Sequence, residues 1–264
     1  TVVGDYLVGR GVQDDKGPSL AALYAVKSLL DDGVQFTKRI RFIFGTDEET
    51  LWRCMNRYNQ IEEQADLGFA PDSSFPLTYA EKGLLQVKLH GPGWDDLPLQ
   101  AGQALNVVPD KATYAGHRLE ELLPVLDQSG VQYSQTENSV TVLGVSKHSK
   151  DAAEGVNAIV GLAESLSLIQ PHPALLFIAD AVGEDATGAA LFGEIKDEPS
   201  GDLSFNLATL VIDQEQSEIG IDIRIPVLAD KDALVARLRE IAASYQLEYE
   251  EFDYLAPLYV PLDS

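Results

Sequence analysis

RIRFIFGTDEET, residues 39–50, decides how this chain is read. Its first six residues are β-branched or aromatic with interleaved arginines, and the run stops at Gly45 in an acidic turn. A short run of that kind reads as a buried strand meeting a site-bearing loop. Upstream, GRGVQDDKGP (9–18) leads into SLAALYAVKSLLD (19–31), where Leu20, Leu23, Tyr24, Val26, Lys27 and Leu30 fall at helical spacing and Gly33 supplies the stop. Downstream, 50–63 reads as another helix, and LGFA (67–70) as a short strand that delivers Asp72 behind Pro71. Strands and helices alternate, so this first part is an α/β unit, and in an open α/β sheet ligands gather beyond the carboxyl ends of the strands.

After Gly83 the pattern changes to longer alternating runs: LLQVKLH (84–90), NSVTVLGVS (138–146) and SEIGIDIRIPV (217–227). Helix-like stretches at 118–128, 154–168 and 230–245 separate them. Alternation implies a sheet with one face covered, and helices on that face describe an α+β domain of mostly antiparallel strands. The expected division is 1–86, a partial catalytic domain; 87–255, the α+β domain; and 256–264, the start of a return to the first. Gly, Asp and Pro collect around 183–202, which reads as irregular. The opening, which reaches an acidic motif almost at once, reads as a start inside a domain.

Composition narrows the function. With 19 basic against 42 acidic residues the formal charge is −23, which opposes nucleic acid and anionic lipid. No apolar run approaches the roughly 20 residues of a membrane helix. Cys54 is the single cysteine, so no internal disulfide forms and a cytoplasmic, reducing setting is expected.

Three acidic clusters, Asp14-Asp15, Glu48-Glu49 and Asp72, each follow a strand-like run. Carboxylates gathered at strand ends suit a divalent cation, and a glutamate beside a ligand can take a proton, a combination that points to hydrolysis at a metal pair. Taken singly, an acidic pair in so acidic a chain is a solvated surface feature, and Asp72 behind a proline is a turn or cap residue.

In their order and spacing, GRGVQDDKGP, GTDEET and PDSSFPLTYAEKG resemble the metal-dependent M20 peptidases, and within them the PepV-like dipeptidases. GVSKHSKDAAEGVNA (144–158) and IDIRIPV (221–227) resemble the lid-domain signatures of that family, so the likeness spans nearly the whole chain. It implies a fold with a partial zinc-peptidase-like catalytic sheet and an inserted α+β lid domain. By the resemblance, Asp14 would bridge two zinc ions, with manganese or cobalt as substitutes. Glu49 and Asp72 would each bind one ion, and Glu48 would be the general base. The Asp14–Asp15 peptide bond would be cis. His148 would stabilise the oxyanion, Arg224 would bind the substrate carboxylate through its guanidinium fork, and Asn157 would contact substrate. Each of the last three has a plainer role as well: a structural histidine, an exposed or ion-paired strand charge, and a helix cap.

The chain departs from the family pattern in its histidines. His90, His117, His148 and His172 all lie in the apparent insert, so the two histidine ligands of the pattern have no counterpart here. The implied activity is hydrolysis of dipeptides or short peptides, with this chain an incomplete piece inactive by itself. A homodimer through the lid or the exposed partial sheet is a further expectation. An M20-like N-acyl-amino-acid deacylase or carboxypeptidase, and a non-catalytic binding or assembly module, remain as alternatives.

Overall fold

The computed structural model of the chain describes residues 1–48, 52–73, 75–95 and 99–263. It divides into two compact units, Thr1–Thr78 and Tyr79–Ser264.

In the first unit, β1 (Val2–Val3) and β2 (Tyr6–Leu7) form a small antiparallel hairpin. An irregular turn, Val12–Lys16, then runs directly into α1 (Gly17–Asp31). Gly17 makes that passage possible, because a Cβ there would lie 2.2 Å from the Val12 carbonyl oxygen. A second helix, α2, spans Arg53–Ile61. The runs 39–44 and 67–70, expected to be strands, carry no strand pairing among the described residues. A strand is held by its ladder to a neighbour, and without one an apolar run stays irregular. The first of these runs is tied to the chain after α2 by side chains instead: Arg39 pairs with Glu63, and Arg41 Nη1 donates to the Glu63 carbonyl at 2.8 Å. No described residue of this unit is buried.

The second unit opens with β3 (Ala80–Glu81), β4 (Gly83–Pro92), β5 (Leu99–Ala101) and β6 (Lys111–Tyr114). It continues through α3 (Leu119–Ser129), β7 (Tyr133–Gln135), β8 (Val140–Leu143), α4 (Ala158–Ile169), α5 (Pro173–Leu176) and α6 (Ala189–Phe192). It closes with β9 (Lys196–Asp197), β10 (Gly201–Asp202), β11 (Ser204–Ile212), β12 (Gln216–Ile225), α7 (Lys231–Ser244), β13 (Glu248–Leu255) and β14 (Leu258–Tyr259). Five strands form an antiparallel sheet in the order β13-β4-β12-β11-β5, and three more a sheet in the order β6-β8-β7.

Alternation along β4 works as its sequence implies: Leu85, Val87 and Leu89 are buried while Leu84, Gln86 and Lys88 are only partly so. Helix α4, with nine buried residues from Ala158 to Ser167, packs against β6, β8 and β11, and α7 covers β13. The stretch 183–202 holds only the short α6 and the β9–β10 hairpin. Entry and exit of this unit are paired, β3 with β14, and Val260 N–H donates to the Tyr79 carbonyl at 2.8 Å. Among the described residues no helix is long and apolar enough to cross a membrane. The architecture is mixed α/β.

Candidate functional site

Asp14 and Asp15 sit exposed in the Val12–Lys16 turn, and the peptide bond between them is cis. Both leave helical geometry, Asp14 at φ −132, ψ 106 and Asp15 at φ −128, ψ 22. Lys16 closes the turn, its N–H donating to the Gly11 carbonyl at 2.7 Å and its Nζ to the Arg10 carbonyl at 3.1 Å. Gly11 holds the left-handed conformation (φ 72) that starts it.

In the second acidic segment Asp47 has a structural role that sequence reasoning missed. Its carboxylate accepts the backbone N–H groups of Arg53 (3.1 Å) and Cys54 (2.9 Å), satisfying donors at the start of α2. Hydrogen bonds from the Cys54 side chain and backbone hold the Asp47 carboxyl below the usual carboxylate range. Glu48 follows, exposed in a turn, and Glu49 lies outside the described residues. Asp72 is exposed in the turn before Ser73, whose hydroxyl bonds that of Thr78 at 2.7 Å.

Among the described residues no group of three or more His, Cys, Asp or Glu side chains is placed to hold a metal ion. All four histidines belong to the second unit. The described residues of this chain thus do not make up the donor set that a zinc pair requires.

The second unit brings His148 and Arg224 to one place. His148 begins the short helical turn Ser149–Glu154, its Nδ1 accepting the Lys150 N–H at 3.2 Å. An accepting Nδ1 leaves the proton of the neutral ring on Nε2. Burial of its protein side, and then the cations Arg224 and Lys150, push the His148 pKa down, against the opposing pull of Asp222 and Asp151. Arg224, on β12, donates through Nε to Asp222 Oδ1 at 2.8 Å and through Nη2 to Ser149 Oγ at 3.0 Å. The ion-paired reading of Arg224 is therefore realised. Asn157 is the cap of α4: its Oδ1 accepts from Ile159 and Val160 N–H, and its Nδ2 donates to the Leu207 carbonyl at 2.7 Å. Beside this turn opens a cleft of about 300 Å³, bordered by Val108, Ala152, Gly155, Asn157 and Asn206.

Residues 1–256 match the sequence pattern of Peptidase family M20/M25/M40. The chain belongs to this peptidase family. Among M20/M25/M40-like relatives, "Putative dipeptidase YtjP" of Bacillus subtilis (strain 168) is 35% identical over 282 residues, covering 97% of this chain and 60% of its own length. "Putative dipeptidase SH1171" of Staphylococcus haemolyticus (strain JCSC1435) is 31% identical over 274 residues, 94% of this chain and 58% of its own. The chain thus spans about three fifths of the length of these curated relatives. Among solved structures, the aminoacylhistidine dipeptidase of Vibrio alginolyticus overlaps 70% of this chain and 46% of its own at 9% identity and a TM-score of 0.35.

Ser149 and Asp222 belong to the site of this M20/M25/M40 family chain although no motif singles them out. For Asp222 alone IDIRIPV carries a signal, since an aspartate two residues before an arginine on a strand shares its face; the link through Ser149 has none.

Proposed function

We propose that this chain contributes the acidic segments and the lid of a metal-dependent dipeptidase, acting on dipeptides or short peptides with a free carboxyl end. In this reading residues 1–86 belong to the catalytic domain, 87–255 form the lid and 256–264 return to the catalytic domain. Asp14, Glu49 and Asp72 are metal ligands with zinc the expected ion, Glu48 is the general base, and Asn157 borders the substrate. Dimerisation through the lid or the exposed partial sheet and a cytoplasmic location go with the same reading. The observation that carries it is the junction of His148 and Arg224 through Ser149.

A neutral imidazole with its proton on Nε2 donates to a developing oxyanion without first losing that proton, and its lowered pKa keeps it neutral near pH 7. A guanidinium held by two of its nitrogens presents the remaining one to a carboxylate. Family membership over both units and relatives named as dipeptidases support the same conclusion.

Metal content and dipeptide hydrolysis, measured on this chain beside a family-length version of the protein, test the reading. Metal in the longer protein, with turnover abolished by Glu48→Ala, is the expected result. A family-length protein that binds no metal and cleaves nothing would leave a binding module in its place. Turnover of N-acyl amino acids but not dipeptides would make it a deacylase.

A further inference from the structure

The buried polar cluster beneath His148 and Arg224 has an organisation that a lone ion pair does not need. Asp222 is fully buried, and its two oxygens take three donors: Arg224 Nε at 2.8 Å, Arg224 Nη2 at 3.3 Å and Gln86 Nε2 at 3.0 Å. Arg224 Nη2 also donates to Ser149 Oγ, and Ser149 is itself buried and held by its backbone. Its N–H donates to the Asn106 carbonyl at 2.9 Å, and its carbonyl accepts the hydroxyl of Ser204, the residue opposite Arg224 in the β11–β12 register. With Nε and Nη2 engaged, Nη1 of Arg224 has no partner among the described residues, on a side chain 20% exposed.

Buried ion pairs are weak sources of stability, because desolvation of both charges offsets their attraction. What the cluster does supply is geometry. A free arginine side chain samples many rotamers, whereas this one is gripped through Nε and both hydrogens of Nη2 and open only at Nη1. Its grip continues through Ser149 into the backbone that carries His148.

We infer that Asp222, supported by Gln86, is a positioning residue that fixes the open Nη1 of Arg224 toward a substrate carboxylate and, through Ser149, sets the place of His148. Recognition of the free carboxyl end is thereby built from the β4–β12 pair and the Ser149–Glu154 turn as one unit. The inference rests on the proposed peptidase activity, and two readouts separate failure of one from failure of the other.

The first readout needs no turnover. In this chain, hydrogen exchange of the Arg224 Nε–H, followed by NMR, is expected to be slow and to quicken at least about tenfold in Asp222→Asn, whose amide would turn a donor toward Nη2 or Gln86. Ser149→Ala, which leaves the Asp222 pairing intact, is expected to shift the His148 ring signals with little change at Nε. Unchanged Nε exchange in Asp222→Asn, or His148 signals indifferent to Ser149→Ala, would overturn the inference. Should Asp222→Asn not fold, Gln86→Leu with the same exchange measurement decides it.

The second readout compares a dipeptide with its C-terminal amide in the family-length protein. Asp222→Asn is expected to raise KM for the dipeptide about tenfold or more, with a smaller change for the amide, erasing the preference for a free carboxylate. Equal losses on both substrates would mark Asp222 as merely structural. An unmodified protein that cleaves neither would remove the peptidase reading and leave the exchange result to decide the positioning role.

Discussion

The two units of this chain both carry many apolar residues and use them differently. On α1, Leu20, Leu23 and Leu30 recur at helical spacing yet are all exposed, and Phe44 and Phe69 are 70% and 81% exposed. On β4, Leu85 is 1% exposed and Val87 and Leu89 are fully buried. The difference is one of partners. A stripe of leucines stabilises only when another apolar surface removes it from water, and within Thr1–Thr78 no described residue reaches that state. The second unit closes its sheets under α4, α5 and α7, so the same residue types there form a continuous core. Periodicity thus identifies which face is to be buried, and topology determines whether it is.

The largest consequence is in local stability. Native-state hydrogen exchange on this chain should show β4 and β12 amides protected at least about a thousandfold more than those of α1, on the order of 4 kcal/mol of opening free energy. Equal protection would break the contrast and mean that Thr1–Thr78 buries its apolar face in solution. Single truncations should sharpen it. Leu89→Ala should cost about 2–5 kcal/mol in urea unfolding, whereas Leu23→Ala on the exposed face of α1 should stay within about 0.5 kcal/mol. A large loss from Leu23→Ala would show that its face is packed in solution.

Acid should divide the units more mildly. His172 is buried, its Nδ1 accepting the Ala174 N–H and its Nε2 facing the Pro92 carbonyl, with Trp94 stacked alongside. Desolvation pushes its pKa down, only partly opposed by the carbonyls of Pro92 and Gly93. The unfolded chain therefore binds this proton more readily than the folded one. Stability is full above the unfolded pKa of about 6.5 and falls below it, toward the folded value, by at most about 1.4 kcal/mol per pH unit. Urea midpoints at pH 7.5 and 5.5 should show this slope, and His172→Gln should lessen it, leaving the part that the lowered pKa of His148 contributes. Since the first unit holds no histidine, its exchange should not share the slope.

Much of this was legible beforehand, for reasons that particular residues show. The alternation in LLQVKLH gave β4 because each buried residue faces a core that forms within the same unit. The spacing of Leu20, Leu23 and Leu30 gave α1 because a helix makes its backbone hydrogen bonds internally and needs no neighbour to exist. RIRFIF and LGFA failed as strands for the converse reason: the residues that would pair with them are a long-range property that no local run encodes. At the candidate site, His148 and Arg224 could be read as residues, but their connection could not. Ser149 and Asp222 are ordinary polar letters until the fold sets the 144–158 segment over the end of β12. The cap made by Asp47 was hidden similarly, inside an acidic run whose neighbours suggested chemistry instead.

The pairing of β3 with β14 bears on how the second unit answers to force on its ends. Because the second unit begins and ends on adjacent hydrogen-bonded strands, its folding holds those ends at one strand spacing. The unit is thus a chain segment with a core of its own whose two ends lie side by side. Force applied to those two ends would unzip the β3–β14 ribbon one pair at a time before reaching the five-stranded sheet.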